Sequence, residues 1–207
     1  MPPDLAALVD PAHTAVVASE MQKGVIGDEA IFPELATIAR EDGIVDAAAR
    51  LFAAARAADV TVIHCLATRR SDNKGSNTNG RIFGAAAKSP VRLEPGSTAA
   101  QIVDELTPEP EDIVMDRLHG LGPMAGTGLD RVLRNLGVQT VVVVGVSVNV
   151  ALTNLTMDLV NHGFDVVLAR DAIAGVPRDY ADAVLDNTLG LLATIVTVDD
   201  ISATWAG

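Results

Sequence analysis

The chain has 207 residues, a length that suits one well-packed domain. Hydrophobic residues make up 49% and aromatic residues only 3%, so the core must consist of Val, Ile, Leu and Ala. Its formal net charge of -12 argues against nucleic acid or an anionic membrane surface as the main partner, because both attract clustered cations. One cysteine excludes an intrachain disulfide. With no basic, apolar leader and no apolar run long enough for a bilayer, we expect a cytoplasmic protein.

Strand and helix patterns alternate along the whole chain. Short runs rich in Val and Ile predict strands at residues 14–19, 60–66, 112–116, 140–145, 165–169 and 194–198. Several are apolar at successive positions, which is typical of parallel strands covered on both faces. Helical spacing predicts helices at residues 44–58, 128–135, 150–161 and 178–192. The sequence therefore predicts one α/β domain, residues 1–207, with no internal repeat or linker.

The segment at residues 68–96 interrupts this alternation. It is long, polar at first, and carries Arg69, Arg70, Lys74 and Arg81. Because it follows the second predicted strand, it should lie over the carboxyl edge of the sheet, where ligands bind in open α/β folds. A solvated surface loop without a role is an equally good interpretation.

Three positions near strand ends are candidates for chemistry. Glu20 directly follows the first strand, where a desolvated carboxylate can act as a general acid or base, although it can equally cap a turn or pair with a surface Arg. Arg117 and His119 follow the predicted strand at residues 112–116. They can bind a substrate carboxylate or pair with Glu20, whereas a surface role is the commoner outcome for an Arg in a loop.

The segment at residues 145–158 passes from a buried strand through a tight turn into a helix. Gly145, Ser147 and Asn149 suit such a turn, and a helix N-terminus can bind an anion. Cys65 lies inside an apolar strand, so we expect an inert buried thiol, with His64 as a hydrogen-bonded core or crevice residue. The sequence contains neither metal-ligand spacing nor a glycine-rich nucleotide motif, so no metal or cofactor is predicted.

Together these motifs resemble the isochorismatase-like (cysteine hydrolase) superfamily. Glu20-Met21-Gln22 is similar to the family's opening motif, which usually has Asp, and residues 126–175 resemble its most diagnostic block. The resemblance extends from about His13 to Val198. It implies a three-layer α/β/α Rossmann-like sandwich with a six-stranded parallel sheet, and a homo-oligomer (dimer or tetramer).

The resemblance also implies a catalytic site that departs from the Asp–Lys–Cys triad of the amidase members. Glu20 stands at the Asp position, Ala151 at the Cys position, and either Arg117 or Leu118 at the Lys position. Without a thiol at residue 151, a covalent acyl-enzyme is not expected. The isochorismatases of this superfamily cleave a vinyl ether by protonation and addition of water, which needs no thiol.

The expected protein is therefore a hydrolase of a small anionic molecule, with Glu20 as its acid. Arg117, His119 and Arg69 would bind substrate carboxylates, and the backbone N–H groups of Ser147 and Ala151 would bind an anion. Asn149 stands where many relatives have Asp, and the peptide between Val146 and Ser147 is often cis in the family. The alternatives are a non-catalytic small-molecule binder or oligomeric interaction protein, and an amidase that uses Cys65.

Overall fold

The computed structural model describes residues 4–206 and contains one six-stranded sheet in the order β3-β2-β1-β4-β5-β6. All neighbouring strands pair in parallel. The strands are β1 Thr14–Ser19, β2 Thr61–Ala67, β3 Ile113–Arg117, β4 Thr140–Val146, β5 Asp165–Ala174 and β6 Thr194–Val196. This architecture confirms the predicted α/β class and its six-stranded parallel sheet.

Helices cover both faces of the sheet. They are α1 Leu5–Leu8, α2 Lys23–Ile26, α3 Pro33–Glu41, α4 Ile44–Ala57, α5 Arg81–Lys88, α6 Leu129–Asn135, α7 Thr153–Asn161, α8 Arg178–Asn187 and α9 Val198–Trp205. Buried residues of α2, α3, α4 and α9 form one core with one face of the sheet. Those of α6, α7 and α8 form a second core with the opposite face.

The two central strands explain why the apolar runs are continuous rather than alternating. Every residue of β1 and β4 is buried. Val16 and Ala18 pack into the first core, whereas Ala15 and Val17 pack into the second. Because successive side chains of a strand point to opposite faces, a sheet covered on both sides needs an apolar residue at every position.

Several predicted boundaries were wrong. β5 continues to Ala174, with a break in its register against β4 near Gly145. The predicted strand at residues 194–198 ends at Val196, because Thr197 and Asp200 form a capping box that starts α9 at Val198. The predicted helix at residues 178–192 ends at Asn187. The helices α1, α2, α3, α5 and α9 were not predicted from the sequence.

The strand order also locates the crevice of the fold. From β1 the chain winds outward to β2 and β3, and from β4 it winds the other way to β5 and β6. The order therefore reverses between β1 and β4. In open parallel sheets ligands bind outside the carboxyl ends of the strands at this point.

Candidate functional site

A cavity of about 300 Å³ lies beyond the carboxyl ends of the strands. Its lining includes residues that follow β1, β2, β3, β4 and β5 along the chain. All seven predicted site residues line it: Glu20, Arg69, Arg117, His119, Ser147, Asn149 and Ala151. The structure thus brings together side chains from separate chain segments, and their roles in binding or catalysis stay predictions.

Glu20 is held in an unusual backbone conformation at the end of β1. Its φ is +57°, in the left-handed region that residues other than glycine seldom occupy. Its N–H donates to the Cys65 carbonyl at 2.9 Å. A non-glycine residue stays in this strained region only where the surrounding structure holds it there, and such residues are concentrated at functional sites. The backbone thus points to Glu20 independently of its charge.

Arg117, the last residue of β3, forms an ion pair with Glu20. Its Nη2 donates to Glu20 Oε1. The Arg117 side chain is 5% exposed and that of Glu20 is 18% exposed, so the pair is largely desolvated. Nε and Nη1 of Arg117 are buried and have no hydrogen-bond partner among residues 4–206. Two guanidinium nitrogens therefore have no partner in the protein, which is unfavourable unless water or a ligand satisfies them.

The turn after β4 forms another wall of the cavity. The peptide between Val146 and Ser147 is cis, as the family resemblance implied, and a π-helical turn at Val148–Leu152 leads into α7. This turn places Ser147, Asn149 and Ala151 on the cavity lining.

The side chain of Asn149 already has hydrogen bonds to the protein. Its Nδ2 donates to the Val176 carbonyl at 2.8 Å, and its Oδ1 accepts from the Val176 N–H at 3.4 Å. Val176, which precedes a cis proline, also lines the cavity. Asn149 thus shapes the wall through Val176, and its assignment as a substrate ligand stays a prediction.

The segment at residues 68–96 covers one side of the cavity. Arg69 lines the cavity, whereas Arg70 forms an ion pair with Asp72 at 2.9 Å. Arg81 begins α5 and is outside the lining. Asn77 Oδ1 accepts from the Gly120 N–H at 2.8 Å, which ties this segment to the turn that carries His119.

Arg92 and an apolar wall of the cavity were not predicted from the sequence. Arg92 lines the cavity, and its Nη1 is buried without a hydrogen-bond partner among the described residues. The apolar lining comes from α2, α3, α5 and the segments beside them: Val25, Ile31, Phe32, Leu35, Ile82, Phe83, Ala86, Val91 and Leu93. The spacing of Ile82, Phe83 and Ala86 was the available signal, since it is typical of one apolar helix face.

Cys65 and His64 lie in the core rather than on the cavity lining. Both are buried, at 2% and 1% exposure. Burial raises the pKa of the Cys65 thiol to about 12. Burial also lowers the pKa of His64, whose Nε2 lies 3.5 Å from Oδ2 of Asp112. His64 is thus a core residue, as one of the sequence alternatives held, but the prediction that it is hydrogen-bonded was wrong, since neither ring nitrogen has a hydrogen-bond partner among residues 4–206.

We predict that Cys65 resists alkylation in the native protein. The reactive thiolate is scarce at pH 8 because burial has raised the pKa of the thiol to about 12, and the side chain is inaccessible. Iodoacetamide followed by intact-mass analysis should show little modification in buffer and complete modification in urea. Fast native alkylation with parallel loss of activity would instead support the amidase that uses Cys65.

Membrane-spanning helices and metal-binding clusters are both absent from residues 4–206. No helix in this part of the chain is long and apolar enough to cross a membrane. No group of three or more His, Cys, Asp or Glu side chains there is arranged to hold a metal ion.

Comparisons with known proteins agree with this fold. Residues 14–200 match the model of the isochorismatase domain. The ureidoacrylate amidohydrolase RutB of Rhizobium rhizogenes strain K84 is 29% identical over 208 residues, covering 94% of this chain and 84% of the relative. RutB of Pseudomonas syringae pv. syringae strain B728a is 32% identical over 115 residues, 55% of this chain and 46% of the relative. The crystal structure of a cysteine hydrolase from Pseudomonas syringae pv. phaseolicola 1448A has a TM-score of 0.80 at 24% identity, covering 96% of this chain and 95% of that one.

Proposed function

The chain belongs to the isochorismatase family of hydrolases, and from that premise we propose that it hydrolyses a small anionic molecule by acid–base chemistry through Glu20. No covalent cysteine intermediate takes part. The observation that carries the proposal is the open cavity of about 300 Å³ beside the desolvated Glu20–Arg117 pair.

The absence of a thiol at the position of the family nucleophile supports a mechanism without an acyl-enzyme. Residue 151, which we align with the family cysteine, is alanine and lines the cavity. The single cysteine of the chain is buried outside that lining. The Thr153 hydroxyl donates to the Val148 carbonyl at 2.6 Å and is likewise outside the lining. Water is therefore the nucleophile in this proposal.

A vinyl ether fits these groups best. The cycle begins when the Glu20 carboxylate, which is paired with Arg117, takes up a proton from solvent. Glu20 then donates this proton to the terminal carbon of the vinyl ether, whose double-bond electrons form the new C–H bond while the ether oxygen stabilises the resulting cation. Water adds to that cation and returns a proton to the Glu20 carboxylate. The hemiketal then expels the alcohol and becomes a carbonyl. Arg117 stabilises the Glu20 carboxylate that the first proton transfer leaves behind, until the added water returns a proton to it.

Arg117 is also our candidate for the position of the family lysine. Of the two residues that the sequence left open, Arg117 contacts the Glu20 carboxylate, whereas Leu118 offers only an apolar side chain. A guanidinium stays protonated at neutral pH, so Arg117 orients and stabilises charge rather than acting as an acid or base. His119 and Arg69 line the same cavity and are our proposed ligands for substrate carboxylates.

A non-catalytic binder is the second candidate, and one observation favours it. That alternative predicts an ion pair between Glu20 and Arg117, which the structure contains. It also predicts that apolar side chains fill the site, whereas an open cavity of about 300 Å³ lies there. The open cavity therefore favours the hydrolase. A homo-oligomer and a cytoplasmic location stay predictions from the sequence.

Turnover by the wild type and by Glu20→Gln tests the proposal. The substrate panel contains isochorismate, small vinyl ethers, primary amides, and ureidoacrylate, the compound named for the RutB relatives. We expect vinyl ether cleavage by the wild type and a loss of about 10²–10⁴-fold in Glu20→Gln, the range for a general acid. Glu29→Gln, which changes an exposed carboxylate, is the control and should keep full activity. No turnover of any compound of the panel by the wild type, or equal rates in the wild type and Glu20→Gln, contradicts the proposal.

A further inference from the structure

Asn79 is the only asparagine of the chain that precedes a glycine. In an Asn-Gly sequence, the backbone nitrogen of the glycine can attack the side-chain carbonyl carbon of the asparagine and close a five-membered ring. Glycine favours this attack because it has no Cβ to obstruct the approach and adopts more backbone conformations than other residues. Each of the other asparagines precedes a residue with a side chain. Residue 79 is therefore the position where ring closure is least hindered.

The fold leaves the reacting groups of Asn79 and Gly80 accessible. Asn79 is exposed and lies outside the strands and helices, directly before the N-cap residue of α5. Within residues 4–206, the Gly80 N–H donates to no protein acceptor. In the same part of the chain, the Asn79 side chain is held by Asn77 alone, whose Nδ2 donates to Asn79 Oδ1 at 3.1 Å. No hydrogen bond among the described residues therefore holds the Gly80 nitrogen away from the side-chain carbonyl.

Helix α5, which begins next to this pair, offers little resistance to movement of the backbone. None of its eight residues is buried, and Gly80 gives it no side-chain cap. A short helix that buries no side chain is only marginally stable in water, and segments with few buried contacts open at low free energy. The backbone at residues 79–80 can thus reach the ring-closing geometry while the sheet and both cores stay folded.

We propose that Asn79 is a site of spontaneous modification, at which the folded protein converts asparagine to isoaspartate and aspartate. The Gly80 nitrogen loses its proton to a base and bonds to Asn79 Cγ, and the side-chain nitrogen leaves as ammonia. Water then opens the cyclic imide. Attack at Cγ gives aspartate, whereas attack at the main-chain carbonyl carbon gives isoaspartate, whose main chain runs through Cγ. Water is the only co-reactant, and each product adds one negative charge.

The modification would act on the hydrogen bonds that join this segment to the turn with His119. The Asn77 amide bridges the two, because its Nδ2 donates to Asn79 Oδ1 and its Oδ1 accepts from the Gly120 N–H at 2.8 Å. In isoaspartate the carboxylate is attached to Cα and the main chain is one carbon longer, so the acceptor that orients Asn77 is displaced. The segment at residues 68–96, which covers one side of the cavity, is thereby loosened as the protein ages. This effect is independent of the proposed function.

Peptide mapping of aged protein tests the modification. The tryptic peptide of residues 75–81 contains both Asn77 and Asn79, so Asn77 is an internal control. In the native protein we expect Asn79 to react at least about tenfold faster than Asn77, and faster at mildly alkaline than at mildly acidic pH, because the Gly80 nitrogen must lose its proton. Equal rates at Asn77 and Asn79 would overturn the proposal.

Two variants and an unfolded control show whether the fold permits the reaction. Gly80→Ala should slow it at least about tenfold, and Asn79→Gln, which would have to close a larger ring, should give no product at residue 79. The native rate should lie within about tenfold of the rate in urea, because the structure leaves the Gly80 N–H without an acceptor. Stronger protection in the native protein, or an unchanged rate in Gly80→Ala, refutes the site.

Hydrogen exchange at the Gly120 amide tests the structural consequence. The isoaspartate form, separated by ion exchange through its added charge, should exchange this amide at least about tenfold faster than fresh protein. Asn77→Ala, which removes the acceptor, gives the rate for a fully lost bond. The Gly137 amide, which donates to a backbone carbonyl in the turn after α6, should be unchanged. An unaltered Gly120 rate in the isoaspartate form would show that the modification leaves the segment in place, and would overturn this part of the proposal.

Discussion

Replacing Gly145 with alanine is expected to destabilise the protein by about 4 kcal/mol, the sum of overpacking and left-handed strain. Gly145 has a φ of +104° at the end of β4, and an added Cβ would overlap the Ser19 carbonyl oxygen and lie 2.9 Å from the Ser19 nitrogen. Both atoms are backbone in the centre of the sheet, so neither can rotate away. Relief requires β1 and β4 to separate at the residues before Glu20 and Ser147. Urea unfolding followed by circular dichroism measures the loss.

Gly137→Ala is the matched control for that variant. Gly137 has a φ of +73°, but an added Cβ there would meet no other described atom within 4 Å. Only the left-handed strain applies, so the loss should be about 1 kcal/mol. Equal destabilisation of the two variants would show that contact with Ser19 contributes nothing, and that the strands adjust to the added methyl group.

Strands β1 and β4 are the part of the fold that the sequence predicted best. Every residue of these strands is buried, and their continuous apolar runs are enough to predict both strands from the sequence. The short amphipathic helices were harder, because their patterns are brief and compete with loop signals. α5 lies in a segment whose polar first half predicted a loop, and its apolar face meets a cavity rather than the core.

The site was predictable where residues stand next to a buried strand, and not elsewhere. Glu20 and Arg117 directly follow or end strands of the sheet, so the convergence of parallel strands brings them together. Arg92 belongs to no strand or helix, and it reaches the cavity because Leu93 accepts from the Arg69 N–H. Such a long-range backbone contact leaves no periodic signal in the sequence. The apolar face of α5, which lines the same cavity, was indicated only by the spacing of apolar residues within one short segment.

Replacing Arg117 with methionine should destabilise the protein by about 3 kcal/mol, because it leaves the Glu20 carboxylate without its cation. The lower end of the range for buried pairs applies, since the Glu20 side chain is 18% exposed and water can reach it. The double variant Glu20→Gln/Arg117→Met should recover most of the loss, because no unpaired charge then remains. Urea unfolding of the wild type, Glu20→Gln, Arg117→Met and the double variant gives four free energies of unfolding. Together they give the coupling free energy between Glu20 and Arg117. Arg70→Met, which breaks an exposed ion pair, should change stability little.

Comparing this coupling with turnover distinguishes an acid–base pair from a structural one. If the pair serves only stability, the double variant recovers stability and any activity of the protein survives in it. If Glu20 transfers the proton, the double variant is stable yet inactive, because the amide of Gln cannot replace a carboxyl group. Additive losses of stability in the two single variants would mean that Glu20 and Arg117 are not coupled. In that case, solvation of Glu20 by water in the cavity, rather than the guanidinium, keeps the carboxylate at the end of β1.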